Sequence, residues 1–281
     1  MPRIDLKELT VHYQQHGEGD DVILIHAFTS NLAVWLLTPT VQRLAEHFRV
    51  TAYDLRGHGL TSVTRHGYTS GSLATDLHAL HDKLKLNPAF LVGHSFGGVI
   101  GLRAALEFPA MVRGVVLSDA YFPGLQHLEP QMGQAEPWRE LRDTFAQVDV
   151  DLGPTVDFTK LFEVVRGLDE DRLASLRTGM GAPGARWLSQ MGQLADTHAG
   201  TEMFAVDGLT AERICQVTQP VVALYDEHSP FSATCEFLQQ NLPLCAVDIV
   251  PGARHLAPVQ SPVEFAELVH RHLRRLQSTN V

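Results

Sequence analysis

Ala89-Phe90-Leu91-Val92-Gly93-His94-Ser95-Phe96-Gly97-Gly98-Val99-Ile100-Gly101-Leu102 runs an apolar stretch into a serine set between glycines, and then into an apolar, helix-compatible segment. A strand that reverses into a helix within a few residues forces its central residue into a strained backbone conformation. Small residues two positions away on either side avoid collision. Gly93 and Gly97 hold those positions, and the Ser95 hydroxyl is presented at the edge of a sheet. The stretch reads as a nucleophile elbow.

Outward from the elbow, short apolar runs alternate with longer amphipathic ones. Segments 22–25, 50–53, 90–92, 112–117, 221–225 and 246–250 read as strands, and 40–47, 72–84, 98–107 and 262–276 as helices. Strands that are apolar almost throughout, separated by helices, imply an α/β fold with a mostly parallel sheet covered on both faces. The alternation stops between Pro123 and Cys215. Pro123, Pro130, Pro137, Pro154, Pro183 and a loop-like segment 180–184 interrupt helical pieces at 138–148 and 169–176 there. The expected organisation is a core of residues 1–122 and 216–281 with a helical lid, 123–215, inserted between its halves. Trp138, Phe145, Phe158, Phe162, Trp187 and Phe204 of the lid suit a lipophilic pocket and suit helix-to-sheet packing equally well.

The 281 residues are 44% hydrophobic and 19% charged, enough for a core that buries a site. A net charge of −10 with no long run of Lys or Arg argues against binding nucleic acid. Arg271, Arg274 and Arg275 read as the solvated face and C-terminal end of a last helix. Cys215, Cys235 and Cys245 are an odd number with no C-x-x-C, which fits a reducing, cytoplasmic compartment. Met1-Pro2-Arg3-Ile4-Asp5-Leu6 lacks the apolar core of a signal peptide, and no run approaches the ~18 apolar residues of a membrane span. The fifteen histidines are scattered without an H-E-x-x-H pair, so neither a metal nor a cofactor is expected.

A serine hydroxyl is a weak nucleophile at neutral pH and needs a base within hydrogen-bond reach. Val250-Pro251-Gly252-Ala253-Arg254-His255 ends a strand in a turn, and Ser261-Pro262-Val263-Glu264 opens the last helix with a capping pattern. His255 therefore sits beyond a strand's carboxyl end. In open α/β sheets that rim binds ligands, and it is the rim that carries Ser95. His255 is the expected base.

With these residues in place, the chain resembles the α/β-hydrolase fold superfamily over nearly its whole length. His26-Ala27-Phe28 is similar to that family's His-Gly turn, and Asp54-Leu55-Arg56-Gly57-His58-Gly59 to its D-x-R-G-x-G loop. Gly93-His94-Ser95-Phe96-Gly97-Gly98 matches its elbow, and Gly252-Ala253-Arg254-His255 its terminal histidine loop. The resemblance implies an eight-stranded sheet with a lid after the sixth strand. It also implies an oxyanion hole built from the backbone N–H groups of Phe96 and Phe28, although Ala27 departs from the usual glycine. Asp54, Arg56 and His58 hold a loop in this reading. His26 either bonds backbone near the hole or joins Tyr121, Trp138 and Trp187 around a substrate pocket.

In many members the loop after strand seven reads Gly-Glu-x-Asp, and the aspartate orients the histidine. Here Asp226-Glu227-His228-Ser229 puts a serine at that position. A hydroxyl accepts a hydrogen bond but does not stabilise an imidazolium by charge. Asp119, at the end of Val115-Val116-Leu117-Ser118-Asp119, is the expected acid, because the implied neighbouring strand is only ~4.8 Å away. Some members carry their acid after strand six. Asp226 is the alternative, with Glu227 and a bare Ser-His dyad behind it.

The expected activity is acyl transfer by a serine hydrolase with no cofactor. Its substrate is an ester, thioester or lactone of a mainly apolar small molecule, an acyl-carrier-bound form included, and the acyl-enzyme forms on Ser95. A serine at the elbow argues against epoxide opening and dehalogenation, where relatives carry a carboxylate. Leu256 stands where carbon–carbon hydrolases often carry tryptophan. The alternatives are a cofactor-free oxygenase, a lyase or carbon–carbon hydrolase on the same fold, and a ligand-binding receptor.

Overall fold

The computed structural model describes residues 2–132, 136–155 and 157–279. Met1, which opens the stretch read for a leader, and residues 133–135 and 156 of the expected lid lie outside them. The strands are β1 (Arg3–Asp5), β2 (Thr10–His16), β3 (Asp20–Ile25), β4 (Phe48–Tyr53), β5 (Ala89–His94), β6 (Val112–Ser118), β7 (Val221–Asp226) and β8 (Cys245–Val250). They form one eight-stranded sheet in the order β1-β2-β4-β3-β5-β6-β7-β8. β2 is antiparallel to both neighbours and every other pairing is parallel. The mostly parallel eight-stranded sheet is as expected.

The helices are α1 (Ala33–Leu36), α2 (Pro39–Leu44), α3 (Ser70–Leu84), α4 (Phe96–Glu107), α5 (Glu136–Ala146), α6 (Phe158–Gly167), α7 (Glu170–Leu194), α8 (Ala199–Glu202), α9 (Ala211–Ile214), α10 (Ser232–Asn241), α11 (Ala257–Gln260) and α12 (Pro262–Thr279). Alternate residues of the central strands feed two cores, because successive side chains of a strand point to opposite faces. Ile23, Ile25, Leu91, Val115, Leu117, Ala223 and Tyr225 pack with α3, α4 and the helices between β6 and β7. Val22, Leu24, Phe90, Val92, Val116, Val222 and Leu224 pack with Trp35 of α1, α2 and α12. Both faces being covered, these strands are apolar without alternation.

β1 and β2 lie outside the apolar pattern of the other strands, because β2, Thr-Val-His-Tyr-Gln-Gln-His, is mostly polar and lies towards one side of the sheet. One reading is corrected. The segment 180–184, expected as a loop, lies inside α7 at a kink where Gly181 takes φ 65° and ψ −171°. Glycine tolerates that conformation, and Pro183 falls in the first turn of the resumed helix, where its missing N–H costs nothing. Among the described residues no helix is long and apolar enough to cross a membrane.

Candidate active site

Ser95 stands between β5 and α4 with φ 53° and ψ −120°, the strained elbow conformation. Its N–H donates to Ser118 O at 2.8 Å and its carbonyl accepts from Gly98 N–H at 2.9 Å, so both sides of the turn are pinned. A Cβ on Gly93 would lie 2.2 Å from Gly97 O, and one on Gly97 would lie 2.2 Å from Ile25 O. Only glycine fits at either place. Phe96 is the first residue of α4, and its N–H belongs to the turn that a helix leaves without an internal partner.

His255 is held at three points. Its Nδ1 donates to Asp119 Oδ2 at 2.6 Å, its N–H donates to Asp226 Oδ2 at 2.7 Å, and its carbonyl accepts from His94 Nε2 at 2.7 Å. Burial pulls His94 down to about 4, aided by the neighbouring His255, so its ring is neutral at pH 7. That ring belongs to the residue before Ser95, which ties the elbow to the histidine loop.

Asp119 is fully buried. Its N–H donates to Leu224 O at 3.0 Å, and its Oδ1 accepts from Asp226 N–H at 3.1 Å. The Tyr225 hydroxyl donates to Ala120 O at 2.7 Å and fixes the chain beyond it. Asp226 Oδ2 also accepts from Ala257 N–H at 3.1 Å, whereas its Oδ1 is buried with no hydrogen-bond partner among the described residues. Burial, together with the charge of Asp119, pushes the Asp226 carboxyl up to about 7. Of the three acids weighed from the sequence, two meet His255, Asp119 at the ring and Asp226 at the backbone, while Glu227 accepts from Gly252 N–H at 2.8 Å. Ser229, at the family's usual acid position, accepts from Phe231 N–H through Oγ at 2.9 Å and shapes its own turn.

The turn 26–30 rests on two buried histidines. His26 Nδ1 donates to Ala27 O at 2.7 Å, and its Nε2 accepts from Leu55 N–H at 3.0 Å. His58 Nδ1 donates to Arg56 O at 2.7 Å, and its Nε2 accepts from Thr29 N–H at 3.1 Å. Carbonyls only accept and amides only donate, so the partners fix one neutral tautomer for each ring. Burial lowers both, His58 to about 3. Of the two roles expected for His26, the backbone bonds are present, and its ring is fully enclosed. The Asp54 carboxylate accepts from Leu32 N–H at 2.7 Å, Leu60 N–H at 2.9 Å and His12 Nδ1 at 2.7 Å, and Arg56 pairs with Asp76 through two bonds of 2.8 and 2.7 Å. This framework leaves Phe28 N–H without a hydrogen-bond acceptor among the described residues.

Trp187 Nε1 donates to Thr29 Oγ1 at 3.0 Å, so α7 reaches down onto that turn. An arc of aromatic contacts runs from the turn to the histidine. Phe28 meets Phe158 at 5.8 Å, Phe158 meets Phe204 at 5.5 Å, Phe204 meets Tyr121 at 6.4 Å, Tyr121 meets Phe231 at 5.2 Å, and Phe231 sets its edge to His255 at 5.2 Å. Burial raises the Tyr121 phenol to about 12, so it stays neutral. Trp138 is buried in the first core and makes no ring contact with this arc among the described residues. Four residues of the region, Thr29 (φ 61°), Ser95 (53°), Asp119 (48°) and His255 (102°), adopt positive φ without being glycine.

The bonds from His94 and Trp187 were not read from the sequence. His94 carried a signal, since it sits inside the elbow motif, whereas the Trp187 bond spans segments far apart in the chain and has no local mark.

A sequence model of the alpha/beta hydrolase fold matches residues 21–262, and the chain belongs to that family. Among its relatives is the 2-(acetamidomethylene)succinate hydrolase of Mesorhizobium japonicum, 37% identical over 117 residues, a match that covers 42% of this chain and 41% of that protein. The chain thus spans less than half the length of that relative. The dihydrolipoyllysine-residue acetyltransferase component of the acetoin cleaving system of Cupriavidus necator is 26% identical over 279 residues, covering 96% of this chain and 68% of that protein. The enol-lactonase of Burkholderia xenovorans LB400 shares the fold, with a TM-score of 0.67 and 22% identity over 97% of this chain and 100% of its own.

Proposed function

We propose that the protein is a serine hydrolase that cleaves an ester, thioester or lactone of a mainly apolar small molecule through an acyl-enzyme on Ser95. The observation that carries this reading is the 2.6 Å bond from His255 Nδ1 to the buried Asp119 carboxylate, at the rim beside the elbow. That bond places the Nδ1 proton and leaves Nε2 as the base. Ser95 Oγ attacks the carbonyl carbon while Nε2 takes its proton. Asp119 stabilises the imidazolium. Negative charge developing on the carbonyl oxygen falls to the N–H groups of Phe28 and Phe96, and one such donor is worth about 3–4 kcal/mol in the transition state. The imidazolium then gives its proton to the departing alcohol or thiol, and water, activated by the same nitrogen, releases the acid.

The aromatic arc supports an apolar substrate, since ring faces and edges offer contact area with few polar demands. In this reading the helices between β6 and β7 form a lid, and the Trp187–Thr29 bond couples it to the oxyanion side. The test is a fluorophosphonate label with a panel of p-nitrophenyl esters, acyl thioesters and lactones. Labelling at Ser95, with turnover abolished in Ser95→Ala, is the expected result. A chain that stays unlabelled, or a Ser95→Ala variant as active as the parent, overturns it. Substrate-dependent oxygen uptake would point to the oxygenase instead.

A further inference from the structure

We infer that His66, His198 and Glu202 form a binding site for a divalent transition-metal ion, separate from the Ser95 region. His66 lies in the loop between β4 and α3, while His198 caps α8 and Glu202 ends it. His66 Nδ1 is 3.1 Å from Glu202 Oε1, and the His198 ring stacks on His66 with centroids 4.0 Å apart and planes 20° apart. One ligand atom from each residue lies within 4.8 Å of the other two. Around a tetrahedral zinc ion, with bonds of about 2.0–2.2 Å, ligand atoms stand roughly 3.3 Å apart. His66 and Glu202 already match that spacing, and the exposed His198 ring, stacked on His66, has to turn out of the stack to aim a nitrogen at the same ion.

The backbone prepares this arrangement. His198 N–H donates to Arg65 O at 2.9 Å, which joins the two segments next to the rings. Glu202 Oε2 accepts from Gly67 N–H at 2.8 Å and Tyr68 N–H at 2.7 Å, which leaves Oε1 on the side of His66. Such outer bonds orient ligands and sustain affinity. His198 also borders a recess of about 450 Å³, which gives an ion a path from solvent.

Two imidazoles and one carboxylate suit zinc, with nickel and copper as competitors, and do not suit magnesium or calcium, which take oxygen ligands. Three protein ligands leave a fourth position for water or an external donor. Bound there, the ion cross-links the β4–α3 loop to α8. No sequence motif marks the site, because its histidines are distant in the chain.

The experiment titrates the metal-free full chain with Zn²⁺ by calorimetry and with Co²⁺ as a spectroscopic probe. One saturable site is expected, with a visible Co²⁺ band of low coordination number and a Tm about 5 °C higher when zinc is at 100 times its Kd. His66→Ala and His198→Ala each weaken binding about tenfold or more and remove the Tm rise. Both side chains are exposed, so the metal-free Tm stays near the parent's. His47→Ala, which breaks a close histidine pair elsewhere, His47–His270 at 3.3 Å, leaves binding unchanged, and Mg²⁺ gives no shift. Absence of a saturable site, binding that survives both substitutions, or binding lost in His47→Ala overturns the inference.

Discussion

At the carboxyl ends of β6 and β7 stand two buried aspartates, and both grip His255, but by different atoms. Asp119 accepts from the ring at 2.6 Å, and Asp226 accepts from the backbone N–H at 2.7 Å. The ring becomes charged during the proposed reaction and the backbone amide does not. A carboxylate at the first place contributes charge as well as direction, whereas at the second it contributes direction. Which strand carries the acid therefore matters less than which histidine atom lies across the rim from it.

The sharpest way to break this comparison is Asp119→Asn. It keeps the shape and loses the charge, so kcat should fall about 10⁴-fold with little change in KM, read from steady-state kinetics on an activated ester. Asp226→Asn keeps an oxygen for His255 N–H and should lower kcat only about tenfold, close to the loss of one neutral hydrogen bond's alignment. Equal losses in the two variants would show that both carboxylates act by charge.

Asp226 also carries a stability signature. Its carboxyl is held up to about 7 by burial and by Asp119. Between the ordinary carboxylate range near ~4 and that value, the unfolded chain has released the proton and the folded chain retains it. The folded state binds more protons, so the contribution is fully present below the ordinary range and is lost as pH rises towards the higher value. Urea unfolding at about pH 4.5 and about pH 7.5 should show this fall, and Asp226→Asn should reduce it. The smallest effect belongs to Trp187→Phe, which removes the bond to Thr29 Oγ1 and keeps the ring. About 1 kcal/mol of stability and a change of a few-fold in KM are expected, from unfolding and kinetic measurements.

How far the sequence could be read depended on the range of the interactions involved. The elbow was legible because strand, turn and helix, with two glycines at fixed offsets, lie within about ten residues. Asp119 and His255 were legible as strand ends, and topology carried them to one rim. The role of Asp226 was not, because it is a side chain on a backbone amide 29 positions further on. β2 was obscured by its polar residues, and the kink at Gly181 read as a loop because glycine and proline mark both. The pairing of His66 with His198 had no mark at all.

Positive φ at Thr29, Ser95, Asp119 and His255 has a consequence for how this chain tolerates change. Each such residue is conformationally uphill by about 1–3 kcal/mol, and glycine at the same place would relax it. A library screened for heat resistance alone would therefore accumulate replacements at the positions on which the proposed chemistry depends. Survivors would be sturdier and inert, so ranking variants by melting temperature and by turnover should give opposing orders here and concordant ones in the two cores.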